Sequence, residues 1–308
     1  MAWIKRGLVF DPTIHAPWVH SHAQVPTAFE MKDHIRVFYA GRNAAGTSFT
    51  TYVDLKKSDP SKILYVSDKP IAELGKTGTF DDEGMMPSDI VGADGRIYFF
   101  YSGWNRRLTS PYHNATGVLF SDDNGETFYR PFDGPVLDRI ATEPYLAVTP
   151  TVILENGLWR MWYVSGVGWE SIDGRFEPVY VIKYAHSRDG ITWARPPEVC
   201  IAAKHPLEAF SRPRVLKERD GYCMWFCHRE SEDYRGGKGA YRLSFATSVD
   251  GIKWNRELHS LELIGQEESW EREMQCYPYV IEIGAKRYMF YNGNGFGRSG
   301  FGLAEWVA

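Results

Sequence analysis

Five segments of this chain repeat one phrase, in which a proline heads an apolar run and an aromatic second run follows. The phrases are QVPTAF…HIRVFYAGR, MMPSDI…GRIYFFYSGW, VTPTVI…LWRMWYVSG, SRPRVL…GYCMWFCHR and CYPYVI…KRYMFYNGN. Their prolines are Pro26, Pro87, Pro150, Pro213 and Pro278, at intervals of 61, 63, 63 and 65 residues. A nearly constant period of this length in strand-forming sequence indicates a propeller or a solenoid.

A turn signal also recurs within the repeats, as SDDNGETF, SRDGITW and SVDGIKW. Asn-Gly and Asp-Gly allow the positive φ angles of a two-residue hairpin turn, and we place these turns between the third and fourth strands of a repeat. The sequence therefore predicts an all-β fold, a five-bladed β-propeller with four antiparallel strands per blade. We expect residues 1–308 to form one domain.

The two ends of the chain suggest how the ring closes. The predicted fourth strands begin with FYR at 128–130, WAR at 193–195 and WNR at 254–256, and the N-terminal WIK at 3–5 has the same pattern. The C-terminal SGFGLAEWVA resembles a third strand with no fourth strand after it. We expect the N-terminal strand to complete the last blade, which removes an exposed sheet edge.

Composition narrows the functional classes. With 44% hydrophobic residues the chain can build a large core, and its net charge of −4 gives no reason to expect nucleic acid or a membrane as partner. The segment MAWIKRGLVFDP contains no apolar signal-peptide core, so we expect a cytoplasmic protein. Four cysteines without metal-ligand spacing predict neither a disulfide nor a metal site. No motif requires a cofactor, and the oligomeric state stays open.

Carboxylates recur near the start of the repeats, on the face where first strands begin and second strands end. The position five residues before each proline is acidic in three repeats and holds Ser21, Asp82, Tyr145, Glu208 and Glu273. Carboxylates that converge on a partly desolvated axis take different pKa values, which permits one acid and one base. Asp89, two residues after Pro87, either lines the same funnel or caps a neighbouring backbone N–H.

Cationic, aromatic and amide side chains share this face and predict substrate binding. The candidates are Arg42, His22, Trp104, Arg212, Arg214, His228, Arg229 and Asn292. Arginine forks bind carboxylate or phosphate through two parallel hydrogen bonds, which favours an anionic ligand. Alternatively, the arginines neutralise Asp82, Glu208 and Glu273 as buried ion pairs. Polar insertions at 102–117 and 228–242 predict a wall and a mobile flap around the mouth, with Trp104 available for sugar stacking.

By its Pro-led strands, aromatic second strands and S-x-D-G-x-x-W turns, the chain resembles the five-bladed propellers of glycoside hydrolase families 43, 32 and 130 over essentially its whole length. The resemblance implies an enzyme acting at a glycosidic or sugar-phosphate linkage. Glu208 would correspond to the general acid of family 43, and MPSDI matches a family phrase at Asp89, which makes Asp89 a catalytic candidate as well. Families 43 and 32 have an aspartate before the first-blade proline, where this chain has Val25. Family 43 has another before the third-blade proline, where Thr149 stands.

Two narrower resemblances point towards phosphate and towards biosynthesis. Mannoside phosphorylases of family 130 set basic residues beside their carboxylates to bind phosphate, and Arg42, Arg212, Arg214 and His228 would do the same here. The C-terminal EMQCYPYV…YNGNGFGRSGFGLA resembles hydrolase-like proteins of bacterial surface-polysaccharide biosynthesis. Together they favour an anionic sugar, linked to a nucleotide or a phosphate.

The leading hypothesis is a carbohydrate-active enzyme, a glycosidase or glycoside phosphorylase. Glu208 would be its general acid and Asp82 or Glu273 the base or stabiliser. Its partner would be a small-molecule or oligosaccharide substrate. A non-catalytic glycan-binding propeller is the alternative, favoured by Val25 and Thr149 at the two aspartate positions. A phosphate-dependent phosphorylase or transferase on the same scaffold is the third.

Overall fold

The computed structural model describes residues 2–257 and 259–307 of the chain, and strands dominate it. Within these ranges there are two helices of four residues each, α1 (Pro12–His15) and α2 (Asn294–Gly297). The all-β prediction is confirmed. None of the described helices is long and apolar enough to cross a membrane.

The strands follow the repeats, after an initial strand β1 (Ala2–Phe10). The first repeat contains β2 (Ser21–Glu30), β3 (His34–Arg42), β4 (Ser48–Lys56) and β5 (Asp59–Val66). The second contains β6 (Gly84–Ala93), β7 (Arg96–Arg106) and β8 (Tyr112–Ser121). The third contains β9 (Ala147–Glu155), β10 (Leu158–Ile172) and β11 (Arg175–Ser187). The fourth contains β12 (Ala209–Glu218), β13 (Gly221–Arg229), β14 (Arg242–Ser248) and β15 (Asn255–Arg256). The fifth contains β16 (Leu263–Ile264), β17 (Cys276–Ile283), β18 (Lys286–Asn292) and β19 (Phe301–Val307).

Consecutive strands within each repeat pair in antiparallel fashion, except for β16, which pairs in parallel with β1 and not with β17. A single parallel bridge, Ser48 with Gly84, joins the sheets of the first two repeats. β1 pairs antiparallel with β19 along its whole length, from Ala2 opposite Val307 to Phe10 opposite Phe301. The N-terminal strand therefore lies in the sheet of the last repeat.

The fourth strands are shorter than the sequence predicts. In the second and third repeats the fourth segment contributes only isolated bridges, such as Tyr129 with Phe120 and Ala194 with His186. These segments read YRPFDGP and WARPPE, and proline cannot donate to a strand ladder. The prediction of four full strands in every repeat was wrong for these two.

The turns before the fourth segments are of two kinds. Asn124 and Gly125 both have positive φ, 59° and 87°, as a two-residue hairpin turn requires. At Asp189-Gly190 only the glycine does, at 74°. There the Asp189 side chain accepts backbone N–H bonds from Ile191 and Thr192, so the side chain rather than two positive φ angles closes the turn.

Apolar clusters fill the spaces between repeats. Phe38 packs against Phe99 between the first and second repeats, and Tyr98 against Trp159 between the second and third. Further clusters lie between the third and fourth, the fourth and fifth, and the fifth and first repeats. The first strands β2, β6, β9, β12 and β17 also contact one another in this cyclic order.

The residue before the proline has an unusual backbone in four of the five repeats. Val25, Thr149, Arg212 and Tyr277 have φ between 46° and 54°, in the left-handed region. β-branched residues such as valine and threonine rarely adopt this conformation. The strand register shifts at each of these positions, so each forms a bulge.

Side chains of neighbouring repeats hold these bulges in place. Asn292 accepts the Val25 N–H at 2.8 Å, and the Ser102 hydroxyl accepts the Thr149 N–H at 2.9 Å. Each holding residue lies on the second strand of the preceding repeat, counting the fifth as preceding the first. The bulges thus place Val25, Thr149, Arg212 and Tyr277 near the same end of the first strands.

Candidate functional site

A polar network ties all five first strands together near the middle of the molecule. Asp89 is fully buried and accepts hydrogen bonds from Thr151, Arg214 and Tyr279, at 2.9, 2.9 and 2.7 Å. Arg212 extends from its bulge to the carbonyls of Pro26 and Pro87, at 3.2 and 2.9 Å. Both side chains therefore fill the centre of the fold.

Above this network lies a pocket of about 350 Å³. One end of each of the five first strands supplies its base, through Gln24, Val25, Met86, Val148, Thr149, Ser211 and Tyr277. Longer side chains supply its walls, namely Arg42, Trp104, Tyr112, Asn114, Val164, Tyr180, Arg229, Tyr234, Arg235, Tyr241 and Phe296. All five repeats therefore contribute to one pocket, which is the candidate site.

Three arginines line the pocket, and only one of them has a carboxylate partner. Arg235 forms an ion pair with the buried Glu177 at 2.9 Å. Arg42 donates instead to the amide oxygen of Gln24, at 2.9 and 3.1 Å. Neither Arg42 nor Arg229 pairs with a carboxylate among residues 2–257 and 259–307. The pocket therefore carries an excess of positive charge.

Arg229 is 2% exposed and lies in a cage of tyrosines. Its guanidinium carbon lies 3.9 Å from the ring centre of Tyr234, 5.5 Å from that of Tyr180 and 5.7 Å from that of Tyr241. It also donates to the Pro178 carbonyl at 2.6 Å. Burial acts to lower the pKa of Arg229, but the neighbouring tyrosine oxygens raise it above its ordinary value.

The tyrosine hydroxyls of the pocket stay protonated at neutral pH. Burial raises the pKa of Tyr241, Tyr277 and Tyr180 above that of a free tyrosine. The Tyr241 hydroxyl lies 3.2 Å from Nε of Arg229, and the Tyr112 hydroxyl 2.9 Å from that of Tyr180. These groups can donate hydrogen bonds to a bound oxygen and contribute apolar ring surface.

Trp104 also lines the pocket. Its indole N–H donates to Ser48 Oγ at 2.6 Å, which fixes the ring. Gly84 lies directly behind the ring, and an added Cβ there would come within 1.7 Å of the Trp104 nitrogen. A glycine at position 84 is therefore needed for the Trp104 ring to occupy this place.

The structure places Arg42, Trp104 and Arg229 together at the pocket, out of the eight residues predicted to bind substrate. His22 lies beside Arg42, where burial and then the charge of Arg42 lower its pKa to about 4. Asn292 is fully buried and holds the Val25 bulge. We therefore assign Asn292 a structural role, as a hydrogen-bond partner of the backbone, and not a role in ligand binding.

Arg214 and Arg212 belong to the central network, below the pocket. Arg214 forms an ion pair with Asp89 at 2.9 Å, so both charges are satisfied within the protein. Burial lowers the pKa of Arg212 to about 10. Asp89 combines both roles considered from the sequence, since it lies on the axis and accepts the N–H of Val152 at 2.7 Å. It has no access to the pocket.

None of the four predicted catalytic carboxylates lines the pocket. Glu208 is 1% exposed and forms an ion pair with Arg256, 2.7 Å away on the fourth strand of its own repeat. Asp82 is half-buried and accepts the Gly78 N–H at 2.7 Å. Glu273 is exposed on the loop before β17. Acid–base chemistry in this pocket requires a carboxylate that reaches the ligand, and none of these three side chains does so.

His228, next to Arg229 in the chain, points to the other side of its strand. Its Nδ1 lies 2.8 Å from the Ser244 hydroxyl, outside the pocket. Burial, and then the charge of Arg256, lower the pKa of His228 to about 4. Alternation along β13 explains why one neighbour reaches the pocket and the other does not.

Glu208 belongs to a repeated carboxylate clasp. In each of the last four repeats, a buried carboxylate before the first strand meets a cation from the fourth strand. The pairs are Asp81 with Arg130, Glu143 with Arg195 at 3.6 Å, Glu208 with Arg256 at 2.7 Å and Glu271 with Lys5 at 2.9 Å. In three repeats a second-strand tyrosine also donates to the carboxylate, namely Tyr101, Tyr163 and Tyr291.

The clasp accounts for the acidic positions better than a catalytic role does. The carboxylates stand six, seven, five and seven residues before their prolines, so a fixed offset of five selects Glu208 alone. A fixed offset fails because the loops before the bulges differ in length. Glu208 is indeed neutralised in a buried ion pair, but its partner is Arg256, which was not among the arginines considered from the sequence.

Several pocket residues were missed from the sequence. Tyr234, Arg235 and Tyr241 come from the insertion at 228–242, and Tyr112 and Asn114 from that at 102–117. The insertions were predicted to surround the mouth, and they do reach the pocket. Tyr234 and Tyr241 are buried, so this part of the predicted flap packs into the protein and forms part of the pocket wall. The signal available was the position before each proline, which lines the pocket in the first, second, third and fifth repeats, through Val25, Met86, Thr149 and Tyr277.

The pocket therefore combines cations, hydroxyls and aromatic rings. No aspartate or glutamate is among the described residues that line it. Across residues 2–257 and 259–307, no group of three or more His, Cys, Asp or Glu side chains is arranged to hold a metal ion.

Solved structures share this fold at low sequence identity. A protein named BT0996, in a complex with RGII, has a TM-score of 0.76 and 18% identity over 99% of this protein and 92% of its own length. A thermostable family-43 glycoside hydrolase has a TM-score of 0.64 and 13% identity, over 94% and 90%. A structure from work on the GH130 family of mannoside phosphorylases has a TM-score of 0.66 and 14% identity, over 99% and 90%. The fold is that of the propeller glycoside hydrolases.

Sequence relatives define the family. No protein-family model matches the chain. Two proteins of Mycobacterium tuberculosis, the uncharacterized proteins Rv1502 and MT1551, are each 37% identical to it over 307 residues, which is 99% of this chain and 99% of theirs. The chain belongs to the same family as these two proteins.

Proposed function

We propose that this protein binds a carbohydrate that carries an anionic group, phosphate or carboxylate, in the pocket between its repeats. The charge of the pocket carries the proposal. Arg42 and Arg229 face it with no carboxylate partner among the described residues, and no described lining residue is acidic. Guanidinium groups bind phosphate and carboxylate with charge-assisted hydrogen bonds. An anionic ligand would supply the missing counter-charge.

The shape of the pocket favours a sugar as the carrier of that charge. Its volume of about 350 Å³ suits a small ligand, since ligand pockets start at roughly 300 Å³. The ring of Trp104 offers a flat apolar wall, and tyrosine hydroxyls and the Asn114 amide offer hydrogen bonds. Sugars combine these needs, because they have apolar ring faces and many hydroxyl groups.

The proposal includes a five-bladed ring closed by β1. It is supported by the cyclic contacts of the first strands and by the pairing of β1 with β19. A single domain, a cytoplasmic location and a place in surface-polysaccharide biosynthesis stay predictions. So does the nucleotide- or phosphate-linked nature of the sugar.

Hydrolysis by paired carboxylates is not favoured. That chemistry requires two carboxylates on opposite sides of the bond to be cleaved. Val25 and Thr149 occupy the two positions at which the glycoside hydrolase families have an aspartate, and both line the pocket. Glu208, Asp82 and Glu273 do not. A binding protein therefore fits the site better than a hydrolase.

Phosphorolysis is the second candidate, favoured by Arg42 and Arg229, which have no carboxylate partner in the described part of the chain. Inorganic phosphate held by Arg42 and Arg229 would attack the anomeric carbon, the glycosidic C–O bond would break, and the leaving oxygen would take a proton. The products would be a sugar 1-phosphate and the shortened sugar. This route needs one proton donor and no protein base, and the protonated Tyr241 hydroxyl near Arg229 is the candidate donor.

Ligand-observed NMR tests both candidates. The protein is mixed with neutral oligosaccharides, uronic acids, sugar phosphates and nucleotide-linked sugars, with and without inorganic phosphate, and the anomeric protons are followed. We expect anionic sugars to bind and neutral ones not to. Phosphate-dependent appearance of a sugar 1-phosphate would select phosphorolysis. Preferential binding of neutral sugars would contradict the proposal.

A further inference from the structure

A second cavity of about 340 Å³ lies next to the pocket. It is lined by Arg107, Tyr112, Arg139, Tyr145, Trp169 and Phe176, among others. These residues come from the insertion at 102–117, from the segment before β9 and from the hairpin of β10 and β11. None of them was part of the site described above except Tyr112.

Tyr112 is the partition between the two cavities, because it lines both. Its hydroxyl bonds with that of Tyr180 in the first pocket, and its ring packs edge-on against Trp169, at 5.1 Å between centroids, beside the second cavity. A ligand that fills the first pocket and extends past this ring therefore enters the second cavity.

Exposed aromatic rings line the second cavity and can stack against a ring of a ligand. Phe176 is 50% exposed and Tyr145 38% exposed, although both have large apolar rings. Trp169 is half-buried and packs against Tyr112. Ring faces left open to solvent are the surfaces on which sugars and nucleobases stack.

The charges around these rings are mainly positive. The acid beside the cavity, Asp138, is engaged by His113 at 2.9 Å and lies 3.8 Å from Arg139. Its Oδ1 also accepts the Arg139 backbone N–H at 2.7 Å. Arg107 is exposed and pairs with no carboxylate in the described ranges. A cation is thus available next to the open rings.

The geometry points to a ligand of at least two units: the second cavity holds a second, ring-bearing part of the same anionic ligand, stacked on Phe176 and Tyr145 with its charge towards Arg107. This inference rests on the proposed function, because it extends the ligand of the first pocket. The second ring is either the base of a nucleotide-linked sugar or a further sugar of an acidic oligosaccharide. Both provide a ring face that can stack on an aromatic side chain, attached to negative charge.

Calorimetric titration of short and long probes tests the inference. The short probes are glucose 1-phosphate and mannose 1-phosphate, and the long probes are UDP-glucose, GDP-mannose and a disaccharide containing glucuronic acid. The variants are Phe176→Ala and Arg107→Gln. Phe132→Ala removes a similarly exposed ring, 45% exposed, and Arg219→Gln an exposed arginine, both away from the cavity, so they serve as controls.

We expect the variants to weaken a long probe at least about fivefold, the lower limit for loss of a stacked ring, and to leave the short probes unchanged. The long probe that responds identifies the second unit as a nucleotide or a sugar. If the short probes bind but the variants do not affect any long probe, the second cavity has no such role, while the proposed function stands. If no probe binds, both fail.

Discussion

At the scale of single residues, the buried carboxylates of this protein have cationic partners, whereas two pocket arginines have no acidic partner among the described residues. Glu208 is the clearest example of the first kind, since Arg256 and the Lys204 N–H satisfy both of its oxygens, at 2.7 and 2.6 Å. A carboxylate that is fully engaged in this way stabilises the fold and is poorly placed to exchange protons with a ligand. Its contribution should therefore be to stability.

Glu208→Gln should lower stability without affecting the pocket. Removing one partner of a buried ion pair leaves the other charge uncompensated, and the cost is about 3 kcal/mol in the free energy of unfolding. Denaturant unfolding measures the loss, with Glu267→Gln as control, because Glu267 forms an exposed pair with Arg272. Loss of ligand binding or turnover with unchanged stability would instead give Glu208 the general-acid role.

His228 should make stability depend on pH. Its pKa is about 4 in the folded protein because of burial, and 6.5 is its ordinary value. The unfolded chain therefore binds the proton first, so this contribution to stability is present above about pH 6.5 and is lost as the pH falls towards 4. His228→Asn should flatten the decline of the melting temperature between these pH values. An unchanged slope relative to the native protein would contradict the shift.

Sequence reasoning found two of the three pocket arginines and Trp104, but it missed Arg235 and the role of the acids. Arg42, Trp104 and Arg229 follow from their positions at the ends of second strands. Glu208 was predicted to be the general acid, and Asp89 was left between two roles, because both a cleft and a buried ion pair use a carboxylate near a strand terminus. The partners that decide the question, Arg214 and Arg256, are distant in sequence or on another strand.

At the scale of elements, β1 takes the place of a fourth strand in the last repeat. Lys5 pairs with the buried Glu271, as Arg130, Arg195 and Arg256 pair with the carboxylates of their own repeats. The recurrence of FYR, WAR, WNR and WIK allowed this placement to be predicted from the sequence. The sequence pattern did not predict that the fourth strands of the second and third repeats are so short. Prolines directly after Arg130 and Arg195 prevent a longer strand there, because proline cannot donate to a strand ladder.

Lys5→Met should destabilise the protein by about 3 kcal/mol, since it leaves the Glu271 carboxylate buried without its cation. Arg6→Met on the same strand is the control, because Arg6 is half-exposed and such pairs contribute at most about 1 kcal/mol. Chemical denaturation of both variants gives the difference. Equal effects of the two substitutions would show that the clasp does not hold β1.

At the scale of the whole molecule, the chain ends meet in one sheet. Ala2 lies opposite Val307 on antiparallel strands, so a short turn can join them. A circular permutant that starts at Asp11 and carries residues 2–10 after a two- to four-residue linker should keep the native melting temperature within a few degrees. Deletion of residues 2–10 without reattachment should lower it strongly. A permutant that unfolds like the deletion would contradict the proposed ring closure.

The repeat made the overall architecture predictable, while the pocket depended on details that a sequence pattern does not contain. The period of 61 to 65 residues indicated a propeller, and the strands of the all-β fold recur with this period. The bulges before the prolines, which expose Val25 and Thr149 to the pocket, arise from positive φ angles that these residue types do not favour. This strain is imposed by residues of the neighbouring repeats, so the local sequence around Val25 and Thr149 does not predict it.

The central claim is that the unpaired arginines select an anionic sugar. The most direct measurement is calorimetric titration of the native protein and Arg42→Gln with a sugar phosphate and with the same sugar lacking the phosphate. We predict that the phosphate strengthens binding to the native protein at least tenfold, about 1.4 kcal/mol, and that Arg42→Gln removes most of this gain. Equal affinities of the two sugars for the native protein would contradict the account.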